Sequence, residues 1–325
     1  MGEFELLARV RERLPPPGPR VLVGAGDDAA VTVPGGATAT SVDAVVEGGH
    51  FHREHASLRQ VGIKALATAL SDLAAMGAEP GEAYAVLGVP VELSEDQCVE
   101  LLDGIVELAA GTGTTLAGGD LIRCPALTLA ITVVGHASIP ERLVTRSGAR
   151  PGDALVLTGA LGAAAAGLIL LDRSEEAAVI PAATTERLLA RQLEPSPRLA
   201  AGRALAAAGA TAMIDLSDGL GGDAGHLAWA SGVGLWIDAE AIPLEDGVAE
   251  LAAIAGQDPL QLAVSGGEDY ELLATIPAAG LDLTALASEA GVPVTRIGEA
   301  VAGSGVEIRL PGGRSLEPGG YDQLG

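Results

Sequence analysis

The sequence predicts a two-domain α/β protein whose sheets are mixed rather than purely parallel. Apolar segments of strand length and of helix length interleave without strict alternation, which favours mixed-sheet α+β domains over a doubly wound parallel sheet. A length of 325 residues suggests about two domains, and 48% hydrophobic residues are enough for real cores. Because aromatic residues make up only 2% of the chain, Ala, Val, Leu and Ile have to build these cores.

The predicted elements lie on both sides of one candidate domain boundary. Residues 143–153, LVTRSGARPGD, are rich in charge, Gly and Pro, so we divide the chain into domains 1–145 and 146–325. The predicted strands are 20–23, 37–42, 83–89, 127–135, 154–158, 211–214, 234–237, 270–276, 292–298 and 306–310. The predicted helices are 57–76, 94–110, 162–171, 185–193, 197–208 and 220–231. Ser94 before an acidic first turn and Pro197 after Ser196 are typical of helix starts.

Composition excludes several classes of function. The formal net charge of −24 makes nucleic acid a poor partner, because such binding needs a basic surface. Lys64 is the only lysine and lies in Ile63-Lys64-Ala65, which rules out a P-loop. Cys98 and Cys124 form no CxxC pair, so a disulfide framework is disfavoured and a reducing cytosol fits.

Nothing in the sequence predicts a membrane protein. The start of the chain carries Glu3 and Glu5 and lacks an apolar signal core. Residues 154–171 are uncharged and reach the edge of spanning length, but Thr158-Gly159 and Gly162 interrupt them. We therefore expect a short strand, a turn and an Ala-rich helix there, and a cytoplasmic protein.

Aspartate recurs in short segments flanked by Gly or Ser, next to apolar residues. They are GAGDDAA (24–30), SVDAVVEGGH (41–50), LSDLAAMGA (70–78), LAGGD (116–120), IDLSDGLGGD (214–223) and SGGEDYEL (265–272). Asp is common in turns and caps, but these also accept Ser, Thr or Asn. Mg²⁺ takes oxygen ligands and often shares them between carboxylates and substrate phosphates. The pattern therefore favours a magnesium site that handles phosphates.

Several of these acids are predicted to lie where a strand or helix ends. Asp27 and Asp28 repel each other unless a cation or donors lie between them. Asp43 is predicted to end a strand after Ser41. Asp72 lies in the last turns of a helix, where the dipole disfavours an acid by roughly 0.3–1 kcal/mol.

Further candidates lie in glycine-rich and polar segments. Asp120 follows Gly118-Gly119, whose backbone can approach a phosphate closely, and Asp215 and Asp218 are three residues apart. The spacing of His50, His52 and His55 suits neither one helix face nor a zinc finger. A contact from His50 to an anionic substrate is therefore favoured over zinc. Arg146 is suited to a phosphate fork, with a solvated linker charge as the alternative.

Taken in order, the motifs resemble the thiamine-monophosphate kinase family almost end to end. They are GAGDDAA, SVDAVVEGGHF, LSDLAAMGA, GGD, LVTRSGARPGD, IDLSDGL, SGGEDYEL and GGYDQLG. The resemblance implies the aminoimidazole-ribonucleotide-synthetase-like fold, with domain 1–145 binding ATP and Mg²⁺ and pairing its sheet in a homodimer. Domain 146–325 would cover the nucleotide cleft. The implied reaction is direct in-line, Mg-assisted phosphoryl transfer from ATP to thiamine monophosphate, giving thiamine diphosphate.

The resemblance also assigns roles residue by residue. Several Mg²⁺ ions would be held by Asp27, Ser41, Val42, Asp43, Asp72, Asp120, Asp215 and Asp218. Val42 stands where the family often has Thr and offers only its backbone carbonyl. ATP would be contacted by Gly119, Asp120, Arg146 and Ser217, and thiamine monophosphate by His50, Glu268 and Tyr321. No aromatic residue lies between Tyr84 and Trp229, so no ring from helix 94–110 stacks on adenine.

Rival enzymes and binding modules fit less well. Selenophosphate synthetase usually carries a Cys or selenocysteine with a Lys near its start, but here none precedes Cys98 and Lys64. The hydrogenase-maturation dehydratase needs a C-terminal cysteine, where this sequence has Gln323-Leu324-Gly325. A Ca²⁺-binding module would repeat an Asp-x-Asp-x-Asp-Gly loop, which is absent. Another ATP-dependent enzyme of the superfamily and a metal-dependent phosphohydrolase stay open as alternatives.

Overall fold

The computed structural model describes residues 9, 12–25, 29–312 and 314–321. The chain divides into two compact units, Met1–Leu73 with Ala78–Glu141 and Ala74–Gly77 with Arg142–Gly325. Each unit contains a sheet with both parallel and antiparallel neighbours. The predicted mixed-sheet α/β class is thereby confirmed.

Strands and helices interleave irregularly along the described part of the chain. The strands are β1 (Val21–Val23), β2 (Val31–Thr32), β3 (Ala37–Val46), β4 (Glu79–Val89), β5 (Thr115–Arg123), β6 (Thr128–Ala137), β7 (Asp153–Thr158), β8 (Ala212–Asp215), β9 (Gly234–Asp238), β10 (Leu272–Pro277), β11 (Val294–Val301), β12 (Gly305–Arg309) and β13 (Ser315–Leu316). The helices are α1 (Leu58–Ala75), α2 (Glu95–Thr112), α3 (Ala163–Asp172), α4 (Ala182–Leu193), α5 (Leu199–Ala207), α6 (Leu220–Ser231), α7 (Val248–Ala255), α8 (Pro259–Ser265) and α9 (Leu283–Ala290).

The first unit is built on a four-stranded sheet in the order β3-β6-β4-β5, with β3 and β5 at its edges. Leu129, Ile131 and Val133 of the central strand β6 are buried. Helices α1 and α2 approach each other at two glycines. A Cβ at Gly62 would lie 2.0 Å from the Leu101 carbonyl oxygen, and one at Gly104 would lie 2.0 Å from that of Arg59. The two helix backbones are therefore in direct contact.

The second unit contains a seven-stranded sheet in the order β13-β12-β9-β11-β7-β10-β8. Its main core combines residues of the central strands, including Leu155, Leu157 and Leu273, with residues of α6 such as Leu227. A smaller core joins α3, α4 and α7 around Leu188 and other buried residues. As the composition predicts, small and aliphatic side chains fill both cores.

Helix starts were predicted with mixed success. Ser94 caps the start of α2 as expected, and it forms a capping box with Gln97. The predicted start at Pro197 is wrong, since α5 begins at Leu199. Arg198 keeps a non-helical backbone (φ −81°, ψ 45°) while its guanidinium binds the buried Glu271, so the helix starts after it.

The uncharged residues 154–171 fold as a strand and a helix rather than as one long helix. They divide into β7 and α3, with Gly159 and Gly162 in left-handed conformations between them. Within the described part of the chain, no helix is long and apolar enough to cross a membrane.

Candidate active site

One group of site residues lies where α1 meets the edge strand β3. Ser41 is in β3 and Asp72 is in the last turn of α1, where its side chain accepts a hydrogen bond from the Ser41 hydroxyl. The predicted position of Asp72 near a helix end is confirmed. The last turn of α1 itself contains no basic residue.

Asp43 lies inside β3, whereas the sequence had predicted that it ends the strand. The strand continues because β6 pairs with it along its whole length, from Ala37 opposite Ala137 to Val46 opposite Thr128. The Asp43 carboxylate accepts the backbone N–H of Ala44 at 2.7 Å. Asp43 is thus held at the sheet edge that also carries Ser41.

Gly119 and Asp120 lie inside the other edge strand, β5, which the sequence had not predicted. A Cβ at Gly119 would lie 2.1 Å from the carbonyl oxygen of Ala85, so glycine allows β5 to approach β4 closely. Gly119 therefore serves strand pairing here. The Asp120 carboxylate accepts the N–H of Leu121 at 2.9 Å.

Strand register separates Asp43 from Asp120. Asp43 lies opposite Ile131, Ile131 opposite Ala85, and Ala85 opposite Gly119. Neighbouring strands are about 4.8 Å apart, so this row places β3 and β5 about 14 Å from each other. Since Mg–O bonds are about 2.1 Å long, one ion cannot bind both carboxylates of a single chain.

His50 lies in the turn after β3. Its Nδ1 accepts the N–H of Val46 at 3.2 Å, so a neutral ring carries its proton on Nε2, which is then a hydrogen-bond donor. The rings of His52 and His55 meet edge to face, with centroids 6.1 Å apart. Among the residues that the structure describes, no three His, Cys, Asp or Glu side chains are grouped to hold a metal ion.

The second unit presents its own acids after β8. Asp215 is the last residue of that strand and is buried, and Ser217 and Asp218 follow in the loop before α6. The buried Asp223, in the first turn of α6, accepts the Asp218 N–H at 3.0 Å. Burial, and next the charge of Asp215, raises the pKa of Asp223 to about 8.

Glu268 and Tyr321 join this second group of residues. The backbone N–H of Glu268 donates to the Ser217 carbonyl at 2.8 Å, and that of Tyr321 donates to the Asp218 carbonyl at 2.9 Å. The Tyr321 side chain is exposed. The structure therefore brings Ser217, Asp218, Glu268 and Tyr321 together, although they lie up to about a hundred residues apart in sequence.

Arg146 is exposed in the loop before β7. The loop is held by Ser231 at the end of α6, which donates to the Arg146 carbonyl at 3.0 Å and accepts the Gly148 N–H at 3.2 Å. No ion pair joins the Arg146 guanidinium to another described residue. Asp27, by contrast, lies outside the described residues.

The donor chemistry of both groups fits Mg²⁺. Each offers carboxylate and hydroxyl oxygens of the hard type that this ion prefers. The hydrogen bond from the Asp218 N–H to the Asp223 carboxylate positions the loop that carries Asp218.

Sequence reasoning missed three buried acids near these residues, namely Asp223, Asp269 and Glu271. A signal was present, because Asp223 closes the segment IDLSDGLGGD and the other two follow Glu268 in SGGEDYEL. A buried acid needs a partner, and the partner is not apparent from the sequence. The four residues 268–271 include three acids, and nothing in the sequence indicates which of them points inward.

Comparisons with known proteins place both units in one family of enzymes. Residues 26–137 match the AIR synthase related protein, N-terminal domain, and residues 150–311 match the AIR synthase related protein, C-terminal domain. The chain is 39% identical over 305 residues to the thiamine-monophosphate kinase of Escherichia coli (strain K12), covering 93% of this chain and 91% of that protein.

This chain belongs to the thiamine-monophosphate kinase family.

Further relatives agree. The thiamine-monophosphate kinase of Mycobacterium tuberculosis (strain H37Rv) is 38% identical over 84% of this chain and 80% of its own. The crystal structure of that enzyme from Stenotrophomonas maltophilia has a TM-score of 0.85 at 36% identity, covering 97% and 98% of the two chains. The predicted family and the two-domain fold are thereby confirmed.

Two other solved structures have a fold similar to that of this chain. One is described as AaThiL complexed with AMPPCP and TMP, with a TM-score of 0.78 at 30% identity over 88% of this chain and 87% of that one. The hydrogenase maturation protein HypE of E. coli has the same TM-score but is 19% identical, over 99% of each chain. This second likeness shows the fold alone.

Proposed function

We propose that this protein transfers the γ-phosphoryl group of ATP to thiamine monophosphate, forming thiamine diphosphate and ADP. The observation that carries the proposal is the identity of 39% over 93% of the chain to a thiamine-monophosphate kinase. A structural relative is described as bound to AMPPCP and TMP, which supports ATP and thiamine monophosphate as the two substrates.

The transfer needs little covalent chemistry from the protein. An oxygen of the acceptor phosphate forms a bond to Pγ while the bond from Pγ to the bridging oxygen breaks, and ADP leaves. The acceptor oxygen is already anionic, so no strong general base is needed, and catalysis consists of positioning and charge stabilisation. Magnesium ions, when bound, offset the repulsion between the two polyanions.

The acids and neighbouring oxygens are the proposed metal ligands. In the first unit they are Asp27, Ser41, the Val42 carbonyl, Asp43, Asp72 and Asp120, and in the second unit Asp215 and Asp218. The contact between Ser41 and Asp72 supports a shared role for these two side chains. The chain contains 19 Lys and Arg against 43 acids, so metal ions are the main available source of positive charge.

The remaining assignments concern the two substrates. We assign Gly119, Asp120, Arg146 and Ser217 to the nucleotide, since they offer backbone donors, a hydroxyl and an exposed guanidinium. His50, Glu268 and Tyr321 are assigned to thiamine monophosphate. The Nε2 proton of His50 suits a phosphate oxygen, and the Glu268 carboxylate suits the cationic part of thiamine.

A second copy of the chain is proposed to complete the first group of ligands. Val42, Tyr84, Val86 and Ile122 lie on one face of the four-stranded sheet. Val42, Val86 and Ile122 are 67%, 38% and 48% exposed, and an exposed apolar face of this kind marks an interaction site. Pairing two such sheets would bring β5 of one copy to β3 of the other.

The separation of Asp43 and Asp120 within one chain would give the proposed homodimer a role in catalysis. Asp43 and Asp120 of one chain lie on edge strands about 14 Å apart and on opposite faces of the sheet, since Asp43 is opposite the buried Ile131 and Asp120 is opposite the exposed Val86. A second copy would instead bring its own β5 edge, which carries Asp120, to the β3 edge that carries Asp43. Each of the two equivalent sites would then combine carboxylates from both chains. The isologous symmetry of a two-fold dimer requires both sites to form at once.

A coupled assay tests the proposed reaction. ADP release is followed with Mg-ATP alone, with added thiamine monophosphate and with added thiamine. We expect ADP and thiamine diphosphate to form in equal amounts, only when thiamine monophosphate is present. Equal ADP release with and without an acceptor would instead indicate the phosphohydrolase alternative, and ADP release with thiamine would overturn the assignment of a phosphate acceptor.

A further inference from the structure

The segment from Gly266 to Glu271, which we call the acidic loop, is held in a strained conformation. Glu268 and Tyr270 have φ angles of 67° and 50°, in the left-handed region that non-glycine residues rarely adopt. Such a conformation persists only where the surroundings fix it. Strain of this kind concentrates at functional sites.

Two of the loop acids point inward and fix its backbone. Asp269 accepts the N–H groups of Gly162 and Ala164 at 2.7 and 3.1 Å, at the start of α3. Glu271 accepts two hydrogen bonds from Arg198 at 2.9 and 2.6 Å and one from Arg191 at 2.7 Å. Both acids are therefore committed to the fold.

Glu268 differs from these two acids because it is only partly buried. Its carboxylate accepts a hydrogen bond from the Gln192 amide at 2.8 Å. Gln192 itself is 7% exposed and lies beside Arg191 near the end of α4. Arg191 also donates to the Asp269 carbonyl at 3.1 Å, so consecutive residues of one helix hold the loop backbone and the Glu268 side chain.

The chemistry of Gln192 suits a carboxylate that has to keep its charge. An arginine or lysine at this position would orient Glu268 but would neutralise it, whereas a primary amide donates a hydrogen bond and carries no charge. We propose that Gln192 is a positioning residue for the acceptor, holding the Glu268 carboxylate toward the cationic part of thiamine monophosphate. This proposal rests on the proposed function.

The test is a double-mutant cycle on acceptor kinetics. Q192M keeps the side-chain length and removes the hydrogen bond, and E268Q removes the charge. We expect Q192M to raise the KM for thiamine monophosphate about tenfold, with kcat and the KM for Mg-ATP close to wild type. In the E268Q background, Q192M should add little, because its partner no longer carries a charge to be positioned.

Other outcomes separate the proposal from the function on which it rests. If Q192M and E268Q raise the KM independently, or if Q192M changes only the melting temperature, Gln192 has a structural role and the proposal fails. No effect of E268Q would remove Glu268 from the acceptor site, and a wild-type protein without kinase activity would overturn the proposed function itself.

Two further variants separate a specific effect at Gln192 from a general effect of substitution. Q192E has nearly the same shape as the native residue but places a second carboxylate beside Glu268, so it should raise the KM further than Q192M does. Q257M alters an exposed glutamine in the loop before α8 and should leave all three kinetic constants unchanged. If Q192E matches the wild-type KM, Gln192 does not position Glu268.

Discussion

Mixing two inactive variants should restore activity if the metal ligands come from two chains. The variants are Asp43→Asn and Asp120→Asn, which preserve side-chain size and remove one carboxylate from opposite edges of the same sheet. Each variant alone should lose nearly all phosphoryl transfer, because the ligands act as one constellation. Subunit exchange between them places both intact carboxylates in the same site.

The size of the recovery follows from the symmetry of the dimer. When equal amounts exchange at random, about half of the dimers contain one chain of each kind. Each mixed dimer has one site with both carboxylates and one site with neither. About a quarter of all sites, and hence about a quarter of wild-type activity, should therefore return.

The same mixture gives a different result if both ligands come from one chain. Every site then lacks either Asp43 or Asp120, and activity stays at the level of the separate variants. A mixture of wild type with Asp43→Asn controls for the exchange step, since about half of its sites are intact under either arrangement. Exchange is verified by native mass spectrometry, and verified exchange without recovery would refute the argument from strand register.

Further predictions concern the acceptor, the metal, pH and packing. His50→Ala should raise the KM for thiamine monophosphate while leaving the affinity for Mg-ATP unchanged, as measured by steady-state kinetics and nucleotide titration; the reverse pattern would place His50 on the nucleotide side. Saturating Mg²⁺ with a non-hydrolysable nucleotide should raise the melting temperature by linkage, and a calorimetric trace that does not move would argue against a site of several ions. In EDTA, the free energy of unfolding should fall as the pH rises from 3.8 to about 8, because folded Asp223 keeps a proton that the unfolded chain releases. Asp223→Asn should reduce this pH dependence in urea titrations, whereas an unchanged pH dependence would assign it to other groups. Gly159→Ala places a Cβ 2.3 Å from the buried Glu271 carboxylate at φ 61°, whereas Gly280→Ala has φ 79° and open space around its Cβ. In urea titrations, Gly159→Ala should therefore lower the free energy of unfolding by ~2 kcal/mol more than Gly280→Ala does. Equal losses would show that only the backbone angle matters.

Local signals were sufficient for much of the fold. Ser94 predicted the start of α2, because its cap involves only neighbouring residues. Gly159 and Gly162 predicted the turn between β7 and α3. The acid-rich segments identified the family as well as the approximate position of most proposed ligands. These features depend on a few consecutive residues, which a single sequence displays directly.

Long-range pairing explains most of what was missed. Strand β5 was not predicted, because Gly118 and Gly119 disfavour a strand, yet it pairs with β4 through close backbone contact at Gly119. Asp43 seemed to follow a strand end, and only pairing with β6 shows that the strand continues. Helix α8 is a different case, since Asp258 caps it and Pro259 occupies its first turn, both of which are readable in the sequence.

The inward acids were beyond sequence reasoning for another reason. Glu271 is buried because Arg191 and Arg198 bind it in the folded unit, and both arginines precede it by more than seventy residues. The sequence therefore singled out the segment as a candidate, whereas the structure separates its two buried acids, Asp269 and Glu271, from Glu268, which remains partly exposed.

The close approach at Gly62 and Gly104 makes the spacing of α1 and α2 a property of the main chain. Interfaces made of side chains adapt to substitution by repacking, whereas two backbones in contact have no side-chain atoms to rearrange. Helix α1 ends with the turn that carries Asp72, so this spacing also sets where that carboxylate lies. Conservative changes among the aliphatic core residues of this unit should leave Asp72 in place, while one added methyl group at either glycine should shift α1 and, with it, this carboxylate. The position of this acid is thus controlled by two residues that have no side chain.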